Sequence, residues 1–187
     1  NIEVETHGIQ CKAKSTKGSV FNIDEIMAGT MAFGIAQSDM VYKAGEGLGE
    51  WEKKGRQEDL RAMFSLHAES VALVAADDAE IKTIQDLRGK RVDIGERGMG
   101  TRQNAIHALE NAGIDYTKDL TARGIRAGEV VGVLQRGRID AFFYTAGHPN
   151  ITLLNATSER RRAHFVPITG VDKLLKQYPY YLKATVP

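Results

Sequence analysis

The chain has 187 residues, room for one large domain or two small lobes, and its 42% apolar content suits a packed core. Lys and Arg number 25 against 24 Asp and Glu, which removes the basic excess expected of a nucleic-acid binder. Cys11 is the single cysteine, which excludes an internal disulfide and a cysteine-based zinc site, and no apolar run reaches the length of a membrane span.

Strand-like and helix-like segments alternate along the chain, predicting an α/β fold with largely parallel pairing. Ile9–Ala13 reads as a strand with Ile9, Cys11 and Ala13 on its apolar face, making Cys11 a buried structural thiol. Gly18–Ala28 reads as a helix with Val20, Ile23, Ile26 and Met27 on one face, ended by Gly29. Met31–Ala36 is a short apolar strand running into Gln37, Ser38 and Asp39. Gly45–Gly55, rich in glycine and charge, is a surface loop or short lid, with Trp51 as its packing anchor. Arg61–Ser65 and Val71–Ala75 are strands, and a turn at Asp86–Lys90 leads into a strand at Arg91–Gly95. A helical pattern from Gln103 stops at Gly113, Val130–Gln135 is helical, and Ile139–Tyr144 is a strand buried on both faces. The run Arg160–Arg162 is a solvated loop before a strand at Phe165–Ile168, and Val171–Gln177 is a helix.

The stretch Arg91–Arg102 carries the strongest chemical signal. A strand enters a loop with Gly95, Gly98 and Gly100, and Thr101 is placed to cap the helix that follows. Strand, glycine loop and helix N-terminus in that order form an anion site from backbone N–H groups and the helix dipole. Arg102, in the first helical turn, is a cation against the dipole. A bidentate bond to a ligand carboxylate is one reason for it, and a salt bridge to Glu96 is another.

A second loop of this type, Ser15–Ser19, precedes the first helix. Both halves of the chain run strand, small-residue loop, helix, and each later steps into an apolar strand, at Ala28–Ile35 and at Arg136–Phe143. Two such lobes predict a clamshell whose helix N-termini face a small polar ligand.

The ordered set Ser15–Ile23, Phe33–Asp39, Phe64–His67, Ile81–Val92, Gly98–Arg102 and Tyr144–Asn150 resembles the TAXI family of solute-binding receptors of TRAP transporters. The resemblance covers almost the whole chain. It implies a two-lobed, type II periplasmic-binding-protein-like α/β fold, with residues 1–78 in a first lobe and 79–187 in a second. The first lobe is then incomplete at both chain ends, because the opening strand with its Gly-rich, Tyr-containing loop and the strands that return after Pro187 are absent. By the same resemblance Asn1–His7 is the tail of a helix, although Ile2–Glu5 alternates like a strand. The implied function is a periplasmic receptor, secreted or lipid-anchored, that acts as a monomer. It delivers a small organic anion, a glutamate-like amino acid or a dicarboxylate, to membrane permease subunits. Met99 departs from the family, whose members commonly carry a small hydroxyl residue there.

The candidate ligand-binding residues are Ser15, Thr16, Gly18 and Ser19; Gln37, Ser38, Asp39 and Tyr42; Gly98, Met99, Gly100, Thr101 and Arg102; and Tyr144, Gly147 and His148. Ser19 or Thr16 could equally be a helix cap, Asp39 could bind an ammonium group or cap a helix near Met40, and Tyr144 could be core. His67 reads as structural or hinge-lining. No cofactor or metal is expected: His7, His67, His107, His148 and His164 do not have metal-ligand spacing, and Cys11 is strand-buried by pattern. The alternatives are an enzyme on the same fold and the effector-sensing domain of a regulator. The first would need a nucleophile, metal or cofactor lysine with partners. The second would need a helix-turn-helix segment, which these residues do not contain.

Overall fold

The computed structural model describes residues 3–6 and 8–185. The chain forms two compact units, Asn1–Arg61 and Ala62–Pro187.

The first unit opens with an antiparallel hairpin of β1 (Glu3–Thr6) and β2 (Ile9–Lys12), with Gly8 at φ 76° before β2. The helix tail expected over Asn1–His7 is therefore a strand at Glu3–Thr6: the period-two alternation prevails once Ile9–Lys12 supplies a partner. Cys11 is exposed, not buried. A two-stranded ribbon has two open faces, and a residue on it is buried only if another layer covers that face.

Helix α1 (Ser19–Met27) buries Val20 and Ile23 and is closed by Gly29 at φ 74°. Helix α2 (Ser38–Glu46) buries Met40 and Ala44 and ends at Gly47 in the left-handed conformation. These residues form one small core around Trp51, which is fully buried in a short 3-10 turn. Trp51 donates its indole N–H to Asp24 Oδ1 at 3.0 Å, as befits a packing anchor. Met31–Ala36 is irregular rather than a strand, and Phe33 and Ile35 are each 70% exposed. An apolar run becomes a strand only when a neighbour takes its backbone groups. Among the described residues this run bonds to α1, through Asn22 Nδ2 to the Ile35 carbonyl at 2.7 Å and the Met31 N–H to the Glu25 carbonyl at 3.2 Å, and to no strand.

The second unit is a five-stranded sheet in the order β5-β4-β6-β3-β7, made of β3 (Ser70–Ala76), β4 (Arg91–Asp93), β5 (Thr121–Arg123), β6 (Ala141–Ala146) and β7 (Ala163–Val166). β4 is parallel to β5 and β6, but β3 runs antiparallel to both β6 and β7. The sheet is mixed, not largely parallel. β3, which the sequence assigns to the first lobe, is one of the three inner strands of this sheet. Helices α3 (Gly100–Asn111), α4 (Val130–Gln135), α5 (Ile151–Ser158) and α6 (Asp172–Gln177) complete the unit. Its core gathers Leu73, Val92, Ile94, Leu109, Leu134, Phe142 and Phe143, all almost fully buried.

Two edges shift. β6 begins two residues later than the apolar run Ile139–Tyr144, and β7 ends at Val166 instead of covering Phe165–Ile168. Arg61–Ser65 is irregular, with Met63 and Phe64 at 70% and 78% exposure. The parallel pairing of β4 and β6 gives the sheet two poles. One carries the chain leaving Asp93 and Ala146. The other carries the chain entering Arg91 and Ala141, together with the end of β3 at Ala76 and the start of β7 at Ala163.

Candidate functional site

The glycine loop leaves β4 at the first of these poles. Gly95 and Gly98 stand at φ 88° and 90°, values that only glycine adopts without strain. Asp93 holds the loop from beneath. It is 3% exposed, and its Oδ1 accepts the N–H of Ile125 at 2.8 Å and of Gly95 at 3.3 Å. Burial pushes its carboxyl up to about 6, against the pull of those two N–H groups and the Arg102 charge. Gly124 lets the two loops meet, since a Cβ there would lie 3.3 Å from the Gly95 carbonyl. Asp93 has no place in a motif reading of this stretch; a carboxylate ending a buried strand before a glycine loop is the signal that could have found it.

Helix α3 begins at Gly100, earlier than expected, so Thr101 lies inside the first turn, buried, and does not cap it. The N-cap position is Met99, in extended geometry and with no side-chain cap. A Cβ on Gly95 would sit 3.2 Å from the Arg102 backbone nitrogen and 3.5 Å from the Thr101 side chain, so the glycine lets the loop lie close against the first turn of α3. Arg102 donates from Nη1 to the Gly95 carbonyl at 2.9 Å and lies 5.9 Å from the Tyr116 ring centroid. Its tolerance of the dipole thus has a structural reason that does not involve Glu96. Its guanidinium has further donors beyond that one bond.

At the end of β6, the Tyr144 hydroxyl donates to Thr152 Oγ1 at 3.2 Å, and its ring packs edge-on to Phe142. Gly147 lies close to His67: a Cβ would fall 2.8 Å from Cδ2 of that ring, whose side chain is 55% exposed. His67 in turn sits 3.5 Å from Glu69. His148 precedes a cis proline, and its Nε2 is buried with no hydrogen-bond partner among the described residues. Asn150 caps α5, its Oδ1 accepting from Thr152 at 2.9 Å and Leu153 at 3.4 Å. Behind these residues lies a network that the sequence did not reveal. Thr145 Oγ1 donates to Asn104 Oδ1 at 3.0 Å, and Asn104 Nδ2 donates to the Tyr181 hydroxyl at 2.7 Å. That hydroxyl also bonds His107 Nδ1 at 3.0 Å. The partners lie up to 77 residues apart, so no local pattern announces them.

In the first unit, α1 takes Gly18 as its N-cap residue, at φ 118° and with no side-chain cap, so neither Ser19 nor Thr16 caps it. Ser19 is buried and accepts the Gln37 N–H at 3.0 Å, which joins the Ser15–Ser19 loop to the start of α2. Gln37 is the N-cap residue of α2, and Ser38 is its first residue. Asp39 is buried, with Oδ1 accepting its neighbour's N–H at 2.8 Å. Ser15 and Ser38 are exposed, Thr16 is half-buried, and Tyr42 is 45% exposed. Thus Gly98–Arg102 and Tyr144–His148 share one pole of the second unit's sheet, while Ser19 and Gln37 meet in the first unit. Among the described residues no group of three His, Cys, Asp or Glu side chains could hold a metal.

The fold is that of periplasmic binding proteins. The alkanesulfonate-binding protein SsuA from Xanthomonas axonopodis pv. citri, solved with MOPS, aligns over 88% of this chain and 56% of its own, at TM-score 0.53 and 14% identity. An ancestral arginine-binding protein bound to arginine aligns over 85% of this chain and 62% of its own, at TM-score 0.52 and 21% identity. The chain thus spans less than two thirds of the length of both, and both are named as binding proteins. A family model matches residues 1–187 from end to end, and the chain belongs to the NMT1-like family.

Proposed function

We propose that the chain is the solute-capturing part of an extracytoplasmic transport receptor and that its ligand is a small organic anion. The observation that carries this reading is the loop from Gly95 to Arg102. Two glycines at positive φ lead into a helix whose first turn has no side-chain cap and carries an arginine. Backbone N–H bonds to a charged oxygen contribute about 1.5–3 kcal/mol each. The helix dipole adds about 0.3–1 kcal/mol at exposed sites and ~2 kcal/mol where partly buried. His148 Nε2, buried at the same pole with no hydrogen-bond partner among the described residues, is a further polar group for such a ligand. In the first unit, the ligand groups are proposed from Ser15, Thr16, Gly18, Ser19, Gln37, Ser38 and Tyr42; Asp39 supports α2 from within.

The finer reading is a TAXI receptor that passes a glutamate-like amino acid or dicarboxylate to TRAP permease subunits in the periplasm, as the ordered motifs suggest. The relatives in fold are named for an alkanesulfonate and for arginine, so these compounds belong beside glutamate, 2-oxoglutarate and succinate in a thermal-shift screen. A ligand in hundredfold excess over its Kd stabilises by about 2.7 kcal/mol. Stabilisation by a carboxylate is the expected result. A shift with arginine alone, or with none of these compounds, overturns the anion reading.

A further inference from the structure

The opposite pole of the second unit's sheet carries a feature that ligand capture does not use. Arg161, the middle of the Arg160–Arg162 run, is anchored and not solvated, its side chain only 17% exposed. It forms a forked pair with Asp78, at 2.7 Å from Nη2 and 3.1 Å from Nε to Oδ1, and donates from Nη1 to the carbonyls of Leu134 and Ile139 at 2.7 and 2.8 Å. Gln135 clamps the same residue's backbone, donating to its carbonyl and accepting its N–H, each at 2.8 Å. The arginines on either side, Arg160 and Arg162, are exposed. The loop is therefore a fixed bracket that presents two guanidiniums beside a concavity of about 430 Å³. A second concavity, about 410 Å³, lies beside α4 and extends from Arg91 and Arg138 at this pole to Arg123 and Ile125 at the other, over Val133 and Ile139.

Across this pole Arg136, Arg138, Arg160 and Arg162 are exposed, and none has a carboxylate partner among the described residues. The nearby carboxylates are already engaged: Asp78 by Arg161, Asp140 by Arg91 and Asp77 by His164. Exposed Glu80 and Glu159 are the remaining acidic counterweight. A chain with formal net charge +1 thus concentrates four exposed guanidiniums without a carboxylate partner among the described residues at one end of one sheet.

We propose that this arginine pole docks on the anionic phospholipid headgroups of a membrane surface. Its cations are exposed and spread over several turns, whereas a discrete small-anion pocket needs donors that converge and are buried. No aromatic side chain lines either concavity, and a protein interface would be marked by aromatic anchors among its arginines. The exposed guanidiniums make the contact electrostatic. It acts independently of the glycine loop at the other pole.

The test is flotation of the 187-residue chain with vesicles of phosphatidylglycerol and phosphatidylcholine in equal parts, against pure phosphatidylcholine, across a salt series. Binding to the anionic vesicles alone, fading as salt shortens the screening length below about 10 Å, is expected. The double variants R160E/R162E and R136E/R138E each weaken that binding by about twentyfold or more. Their circular dichroism and melting temperature stay at the parent values, while Gly98→Ala leaves vesicle binding unchanged. Absent binding, equal binding to neutral vesicles, or indifference to charge reversal overturns the proposal. So does binding of poly-glutamate without vesicle binding, which assigns the pole to an acidic protein. A melting-temperature rise with inorganic phosphate that the same variants abolish, without vesicle binding, assigns it to a small anion instead.

Discussion

One oxygen of Asp93 accepts the N–H of Ile125 at 2.8 Å, and through this bond a buried carboxylate sets the spacing of two loops. The same oxygen accepts from Gly95, the first residue of the glycine loop at positive φ, and Arg102 closes the loop from the other side through the Gly95 carbonyl. The glycine loop is thus held by one acidic and one basic side chain, both bonded to backbone.

Asp93 makes stability depend on pH in the direction opposite to a salt-bridged aspartate. Its carboxyl is raised by burial from 3.8 to about 6, so the folded chain holds a proton that the unfolded chain has released. Between those values the native state binds more protons, and stability falls as pH rises, by about 3 kcal/mol in total. Asp93→Asn removes this slope. Urea melts of parent and variant between pH about 4 and about 6.5 should therefore nearly coincide at the acid end, where the amide stands in for the protonated carboxyl, and diverge toward the neutral end with the variant the more stable. Parallel curves across that window would mean that Asp93 ionises normally.

Gly98→Ala separates loop shape from fold. No atom lies within 4 Å of the added methyl, so the cost is the positive φ alone, about 1–2 kcal/mol. Part of that is relieved by letting the loop leave its conformation, which moves the N–H groups off any anion. The variant should stay folded by circular dichroism and lose at least about tenfold in affinity for the stabilising anion, a loss of 1.4 kcal/mol or more. Unaltered affinity in a folded variant would remove this loop from the site.

How much was legible depended on whether a residue's partner was near in sequence. Helix α4 lies where its periodicity placed it, and Gly29 and Gly113 each follow a helix at positive φ because stop signals are local. Met31–Ala36 and Arg61–Ser65 have strand composition and no strand, since pairing is set by a neighbour and not by the run itself. The antiparallel entry of β3 is likewise invisible: Ser70–Ala76 pairs with residues some 65 to 95 positions later, and its apolar run is the same for either direction. At the site, the glycines were readable because φ is a local demand. Asp93, Asn104 and Tyr181 were not, because each acts on a segment that only the fold brings near.

Trp51 is the keystone of the first unit's small core. Trp51→Phe keeps an aromatic ring but leaves part of the volume empty and removes the indole N–H from Asp24, whose other oxygen still holds Lys54 at 2.8 Å. The expected loss is about 2–3 kcal/mol, from a cavity and one hydrogen bond to a charged group. Hydrogen exchange should localise it: amides of α1 and α2 lose protection while those of β3 and β6 keep theirs. Equal loss in the five-stranded sheet would contradict a core confined to residues 20–51.

Arg161 and Asp78 share a forked ion pair, yet the two ends should respond very differently. Asp78 has a side chain 64% exposed, and the guanidinium beside it holds its carboxyl below the usual carboxylate range. Water screens that end, so Asp78→Asn should cost under about 1 kcal/mol. Arg161 also feeds the carbonyls of Leu134 and Ile139, in a side chain mostly removed from solvent. Arg161→Met keeps the aliphatic stem but strands both acceptors, at about 1–3 kcal/mol for each buried group left unmade. Urea denaturation of the two variants should therefore show a several-fold larger loss for Arg161→Met. If Asp78→Asn were the costlier change, the bracket would be an ion pair first and a backbone clamp second, and the rigidity assigned to Arg160 and Arg162 would have to come from elsewhere.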